Sequence, residues 1–323
     1  MPDSPTETAR SLCETSFMGW PAFALRQGAL TLHVVPSVGG RLMSIHFDDE
    51  ELCFIHPALV GCRASDDPVA WAALCGDWSF PLWGGGKTWL APESAWPGGA
   101  PHRDLDSGAW EVTGQWCDDA GMGIDLLSPV CRDSGLQLRR RIGSTGQGTQ
   151  WWVEHGVVNR GTAPQHCGLW DVLMLRRPAL VSVTLPRARA QHWRAAVSAV
   201  PGMRSVDDLL RDAVLRPGNG RIGVACDRPA AFKCGFDSDA GAITADLPGS
   251  GGMLRYQRRS AVPAAAVFAH GHPLEVFNAP ALPYFEIESH SPAVTLQPGE
   301  SASFLVEESV QRLPRQPPEG AHT

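Results

Sequence analysis

Short β-rich runs recur from residue 29 to residue 310, each closed by Gly, Pro, Asn or Asp, and this recurrence limits the possible folds more than any other feature of the chain. Runs bounded by turn residues, without intervening helical stretches, are the pattern of an antiparallel sandwich and not of βαβ units. The clear runs are 29–35, 41–47, 110–116, 136–142, 150–159, 181–185, 264–270, 284–289 and 303–308. One helix is predicted, over 205–215. Ser205 and Asp208 make a capping-box-like start, Val206, Leu209, Leu210 and Val214 make a stripe, and Arg216, Pro217 and Gly218 make a stop. The expected fold is all-β: a large antiparallel β-sandwich with a minor helical insertion. Residues 1–15 and 313–323 carry little apolar content and are expected to be disordered at either end of a single domain, 16–312.

Composition narrows the partners. The chain has 323 residues, 43% of them hydrophobic, and this allows a sizeable core. Its 27 lysines and arginines against 34 acids give a net charge of −7, and no basic stripe is dense enough to follow a phosphate backbone, so nucleic acid is not an expected partner. No apolar run approaches the ~20 residues that span a bilayer, and the polar, acidic N-terminus lacks an apolar signal core. A cytoplasmic location and no membrane partner are expected. The nine cysteines form no C-x-x-C pair, so free thiols are expected, with neither a disulfide framework nor a zinc ribbon.

Three constellations carry chemistry. In Pro283-Tyr284-Phe285-Glu286-Ile287-Glu288-Ser289-His290, strand periodicity puts Tyr284, Glu286, Glu288 and His290 on one face and Phe285 and Ile287 on the other. A solvated outer face is the plain reading. Two neighbouring carboxylates, however, tend to raise one pKa, which suits a general base or a shared proton. The segment from Phe80 to Glu93 places Gly84, Gly85 and Gly86 beside Lys87, Trp83, Trp89 and Glu93; it reads either as a sugar cradle or as a tight turn with packed tryptophans. It lacks Walker spacing, so nucleotide binding is not expected. Twelve tryptophans against two tyrosines make indole stacking on a pyranose face plausible chemistry, with Trp83, Trp89, Trp96 and Trp170 as candidates. Finally, His270-Gly271-His272, with Glu286, Glu288 or His290, offers ligand types for a divalent metal, although surface or acid–base histidines are the commoner outcome. No cofactor is implied, and no metal site is assigned.

The chain resembles the galactose mutarotase-like (aldose 1-epimerase) superfamily over about residues 20–310. Three segments carry the resemblance: Ser37-Val38-Gly39-Gly40-Arg41, with its Gly-Gly-Arg; Val158-Asn159-Arg160-Gly161-Thr162-Ala163-Pro164; and Phe285-Glu286-Ile287-Glu288 followed by Leu296-Gln297-Pro298-Gly299-Glu300. The resemblance implies the galactose mutarotase-like supersandwich and Glu286 as the general base, with Glu288 where the family usually has glutamine. The family's general acid is a histidine on the strand after the Asn element. Here that place holds Trp170 or Asp171, and Lys87, His270 or His272 could replace the lost acid. The expected activity is acid/base chemistry at or near the anomeric carbon of a sugar or sugar-derived metabolite. Glu286, Glu288, His270 and Lys87 are the catalytic candidates, and Trp83, Trp89, Glu93, Trp170, Asp171, His272 and Tyr284 the binding ones. The alternatives are a non-catalytic carbohydrate-binding or sensing domain and a metal-dependent sugar isomerase or lyase.

Overall fold

A computed structural model describes residues 10–145, 148–189, 191–200 and 202–314. Two large antiparallel sheets pack face to face. The first runs in the order Arg10–Phe17, Trp20–Gln27, Leu30–Val35, Arg41–Phe47, Gly86–Ala91, Gln165–Arg176, Tyr284–His290, Leu274–Asn278, Phe232–Phe236, Val197–Ala199. The second runs Leu215–Gly218, Arg221–Cys226, Ala179–Thr184, Ala242–Gly249, Gly252–Ser260, Ser301–Arg312, Gln150–Asn159, Leu136–Ser144, Gly121–Leu127, Glu111–Asp118. Period-two alternation turns one set of side chains from each sheet inward. Leu173, Phe285 and Ile287 of the first sheet and Ile124, Leu138, Ile142 and Val306 of the second belong to one buried apolar cluster. Each fully buried side chain of this size stabilises the fold by roughly 1.5–3 kcal/mol.

The all-β sandwich expectation holds, with four local corrections. Arg10–Phe17 is an edge strand, where disorder was expected up to residue 15. It pairs with Trp20–Gln27 through a hairpin whose Met18 and Gly19 both take positive φ, the turn that matches strand twist. The rest of the expected disordered ends, 1–9 and 315–323, lies outside the described residues. The helix is shorter than predicted: Val206–Arg211 has the capping box of Ser205 and Asp208, but Ala213 takes a positive φ and Leu215–Gly218 becomes a strand paired with Arg221–Cys226. Among the described residues there are two more α-helices, Pro68–Cys75 and Arg103–Asp106; the first carries an Asp67 cap, a first-turn proline and Gly76 at its end. Residues 264–270 are a loop and not a strand, because Ala265 adopts φ 62° behind Pro263 and Gly271 N–H closes a turn on the Phe268 carbonyl. That loop delivers His270 to the outer face of the first sheet. All nine cysteines are free thiols, and no helix among the described residues is long and apolar enough to cross a membrane.

Candidate functional site

The outer face of the first sheet carries the ionisable groups. Across its strands the register aligns Trp89, Trp170 and His290 in one row, Lys87, Val172, Glu288 and Glu275 in the next, and Met174, Glu286 and Phe277 in a third, which Lys233 continues. As predicted, Tyr284, Glu286, Glu288 and His290 share a face opposite Phe285 and Ile287. That face is not solvated: their exposures are 3, 7, 0 and 1%. Phe54 stacks on Tyr284, and Trp96 stacks on Trp170 at 5.7 Å, so loops roof the carboxylates.

Two charge clusters sit under this roof. In the first, Lys87 Nζ pairs with Glu286 Oε1 at 3.0 Å and lies 3.9 Å from the Trp89 ring centroid. Burial pulls the Lys87 ammonium below its ordinary value against the attraction of Glu286. Trp89 Nε1 donates to Asp106 Oδ1 at 2.7 Å, and the same oxygen receives Arg41 at 2.6 Å. The Gly-Gly-Arg segment makes this possible: a Cβ on Gly39 would stand 1.9 Å from the Asp106 carbonyl oxygen, so only glycine lets that segment close in.

The second cluster centres on Glu275. Its Oε2 accepts from Lys233 at 2.9 Å, His290 Nε2 at 3.0 Å and His270 Nδ1 at 3.2 Å, while Oε1 accepts from His272 Nε2 at 2.7 Å. Burial alone would raise this carboxyl, but Lys233 and the histidines overcome it and hold Glu275 well below the usual carboxylate range. Lys233 also lies 2.9 Å from Glu288 Oε2, which accepts from Trp170 Nε1 at 2.7 Å. One ammonium between two carboxylates neutralises one of them. Complete burial, together with Glu275 and Glu286, pushes Glu288 well above its ordinary value, so the proton resides on Glu288 and the charge on Glu275. His290 is pushed down to about 4 by burial and is neutral. His272 lies over Gly235, where a Cβ would come within 2.0 Å of the ring, and its Nδ1 faces Ser198 Oγ at 3.4 Å.

A cleft of about 690 Å³ opens beside this second cluster, lined by Glu93, Arg189, Lys233, His270, His272 and Glu275 among others. Of the candidates read from sequence, His270, His272 and Glu93 line it. Lys87, Glu286 and Tyr284 share the face but not the cleft, and Glu288, Trp89 and Trp170 are buried members of the two clusters that do not line it. Two candidates lie elsewhere. Trp83 is fully buried in a separate apolar cluster with Trp20 and Met43 and donates to Ser107 Oγ at 3.0 Å. The glycines after it do not cradle a ligand: a Cβ on Gly84 would stand 2.2 Å from the Phe54 carbonyl oxygen and one on Gly85 2.6 Å from that of Leu42, so what they admit is the chain's own backbone. Asp171, one residue from Trp170, faces between the sheets, 3.0 Å from Arg258 and 3.4 Å from His155. Glu275 and Lys233 were missed. Each lies in a short strand whose other face is core, Leu274 and Val276 for one and Phe232 and Cys234 for the other, so the local signal existed while the pairing of the strands did not. Ligand atoms of His270, Glu275 and His290 lie within 4.8 Å of one another, a donor set of a kind that holds divalent metals, but the Lys233 ammonium already stands against the shared carboxylate.

No family model matches the sequence, and no curated protein matches it. Solved structures do match in shape. A protein from Synechocystis sp. PCC 6803 superposes with a TM-score of 0.59 at 13% identity, covering 93% of this chain and 100% of its own. A galactose mutarotase-like protein from Clostridium acetobutylicum has a TM-score of 0.59 at 10% identity, over 94% of this chain and 99% of its own. A candidate aldose 1-epimerase from Escherichia coli has a TM-score of 0.52 at 13% identity, over 94% of this chain and 100% of its own. The chain therefore has the galactose mutarotase-like fold.

Proposed function

We propose that this galactose mutarotase-like fold binds a sugar or sugar-derived metabolite in the first-sheet cleft and carries out acid/base chemistry at or next to its anomeric carbon. His270 is the proton-transfer residue and Glu275 the positioning residue behind it. The observation that carries this reading is the contact of His270 Nδ1 with the Glu275 carboxylate in the cleft wall. An ionised carboxylate on Nδ1 fixes the proton there, which leaves the Nε2 lone pair to accept a proton from a ligand hydroxyl. Glu93 and Asp237, two exposed carboxylates lining the same cleft, are further groups within the site able to exchange a proton.

Glu286, the base implied by family resemblance, is a weaker choice because Lys87 already neutralises it and it does not line the cleft. With Trp170 or Asp171 where the resemblance places the family's histidine, free glucose and galactose are expected to be poor substrates. The test is anomer exchange by NMR on a panel of neutral, phosphorylated and acidic aldoses. Accelerated exchange of at least one member, reduced about 10²- to 10⁴-fold by His270→Ala, supports the reading. A panel with neither exchange nor binding eliminates it, and binding without exchange supports the non-catalytic carbohydrate-binding alternative. A tightly held divalent metal lost on His290→Ala supports the metal-dependent isomerase or lyase alternative.

A further inference from the structure

The second sheet has an outward face of its own, and its side chains are not explained by the first-sheet cleft. Register aligns Trp116, Gly123, Gly143, Trp152, Glu307 and Arg259 across six consecutive strands. At the usual strand spacing of about 4.8 Å this row is roughly 24 Å long. The two indoles lean inward over the glycines. A Cβ on Gly123 would stand 2.2 Å from Trp116 Cζ2, and one on Gly143 2.4 Å from Trp152 Cζ2. The rings are near-parallel, 22° apart with centroids 6.2 Å from each other, and form one half-buried apolar plate. The Arg141 guanidinium stands 5.3 and 5.6 Å from the two centroids and is itself held by Asp125 at 2.6 Å, so the plate is braced from one side.

Covering bare glycines explains where the indoles lie. It does not explain what lies beside them. Trp152 forms one wall of a cleft of about 420 Å³ whose other lining includes Gln150, Thr244, Gln257, Arg259 and Glu307. Gln150, Gln257, Arg259 and Glu307 are exposed. An apolar plate continued by amide, hydroxyl and charged side chains suits a ligand with an apolar ring face and equatorial hydroxyls, and the length of the row suits several such rings in succession. We propose that this face is a second saccharide-binding groove, for a neutral oligosaccharide of pyranose rings, separate from the first-sheet cleft.

Calorimetric titration with cellohexaose and with maltohexaose tests it, the pair distinguishing β- from α-linked chains. One hexamer is expected to bind, with affinity reduced at least about tenfold by Trp152→Ala, an intermediate loss for Trp152→Phe, which keeps a ring over Gly143, and a several-fold loss for Gln257→Ala. His270→Ala should leave hexamer binding unchanged, which separates this groove from the cleft of the other sheet. Binding of neither hexamer to the wild-type protein at millimolar concentration overturns the proposal. So does equal binding by Trp152→Ala, or loss of binding in His270→Ala.

Discussion

The charge assignment around Lys233 makes a quantitative prediction, because Glu275→Gln and Glu288→Gln should behave differently although both carboxylates lie 2.9 Å from the same ammonium. Glu275 is the ionised partner and accepts from four donors. Removing the charge from a buried, hydrogen-bonded pair destabilises by about 3–5 kcal/mol. Glu288 moderates the loss, since it gives up its proton once Glu275 is neutral and then balances Lys233. The expected loss for Glu275→Gln is therefore near the lower limit, about 3 kcal/mol, or a fall in Tm of roughly 4–5 °C for a chain of 323 residues. Glutamine is close in shape to a protonated glutamate, so Glu288→Gln should lose less than about 1 kcal/mol, comparable to one ordinary hydrogen bond.

Urea denaturation at pH 7, followed by far-ultraviolet circular dichroism, gives both numbers. The His270 tautomer supplies a second readout that mere stability does not move: nitrogen NMR should show a single Nδ1-protonated ring in the wild-type protein and a mixture in Glu275→Gln. Equal losses in the two variants, or a larger loss in Glu288→Gln, would show that the proton is on the other carboxylate. The positioning role of Glu275 would fall with it.

Three further outcomes follow from single contacts. Asp171→Asn should destabilise by about 3 kcal/mol, because it removes the charge facing Arg258 at 3.0 Å between the sheets, and it should leave ligand affinity in the first-sheet cleft unchanged, as a binding titration beside a denaturation curve will show. Gly235→Ala should fold with a loss of roughly 1–3 kcal/mol yet release His272 from Glu275, visible as a changed His272 resonance, because the new methyl group would stand 2.0 Å from that ring. Glu51, half-buried and pushed up to about 7 chiefly by burial, binds its proton more tightly in the folded than in the unfolded chain. Stability should therefore decline as pH rises from about 4.5 to about 7, by on the order of 1–2 kcal/mol after solvent screening, and Glu51→Gln should flatten that slope in denaturation curves taken at pH 5 and pH 8.

What the sequence could reveal about this site was limited by range, not by chemistry. Period two alone separates Glu286 and Glu288 from Phe285 and Ile287, and this separation is present in the fold. Whether the polar set meets water is decided elsewhere, by the loops that carry Phe54 and Trp96 across the sheet, and no pattern within Tyr284–His290 encodes them. The same alternation could have shown that Trp170 and Asp171 cannot serve one site, since neighbours on a strand face opposite ways. Lys87 illustrates the other limit. Its distance from Glu286 in sequence is 199 residues, and the pairing that joins them runs through Gln165–Arg176, a strand between theirs. Placing Lys233, Glu275 and His290 around one point requires the order of three strands at once. His270 lies on none of them. A loop misread as a strand carries it over the sheet: the chain turns at Ala265, and the His270 imidazole meets Glu275 across the sheet's outer face. The residue assigned the chemistry is thus held by a carboxylate in the sheet and supplied by a segment outside it, so changes in the 264–270 loop should alter turnover while leaving the Glu275 and Lys233 pair in place.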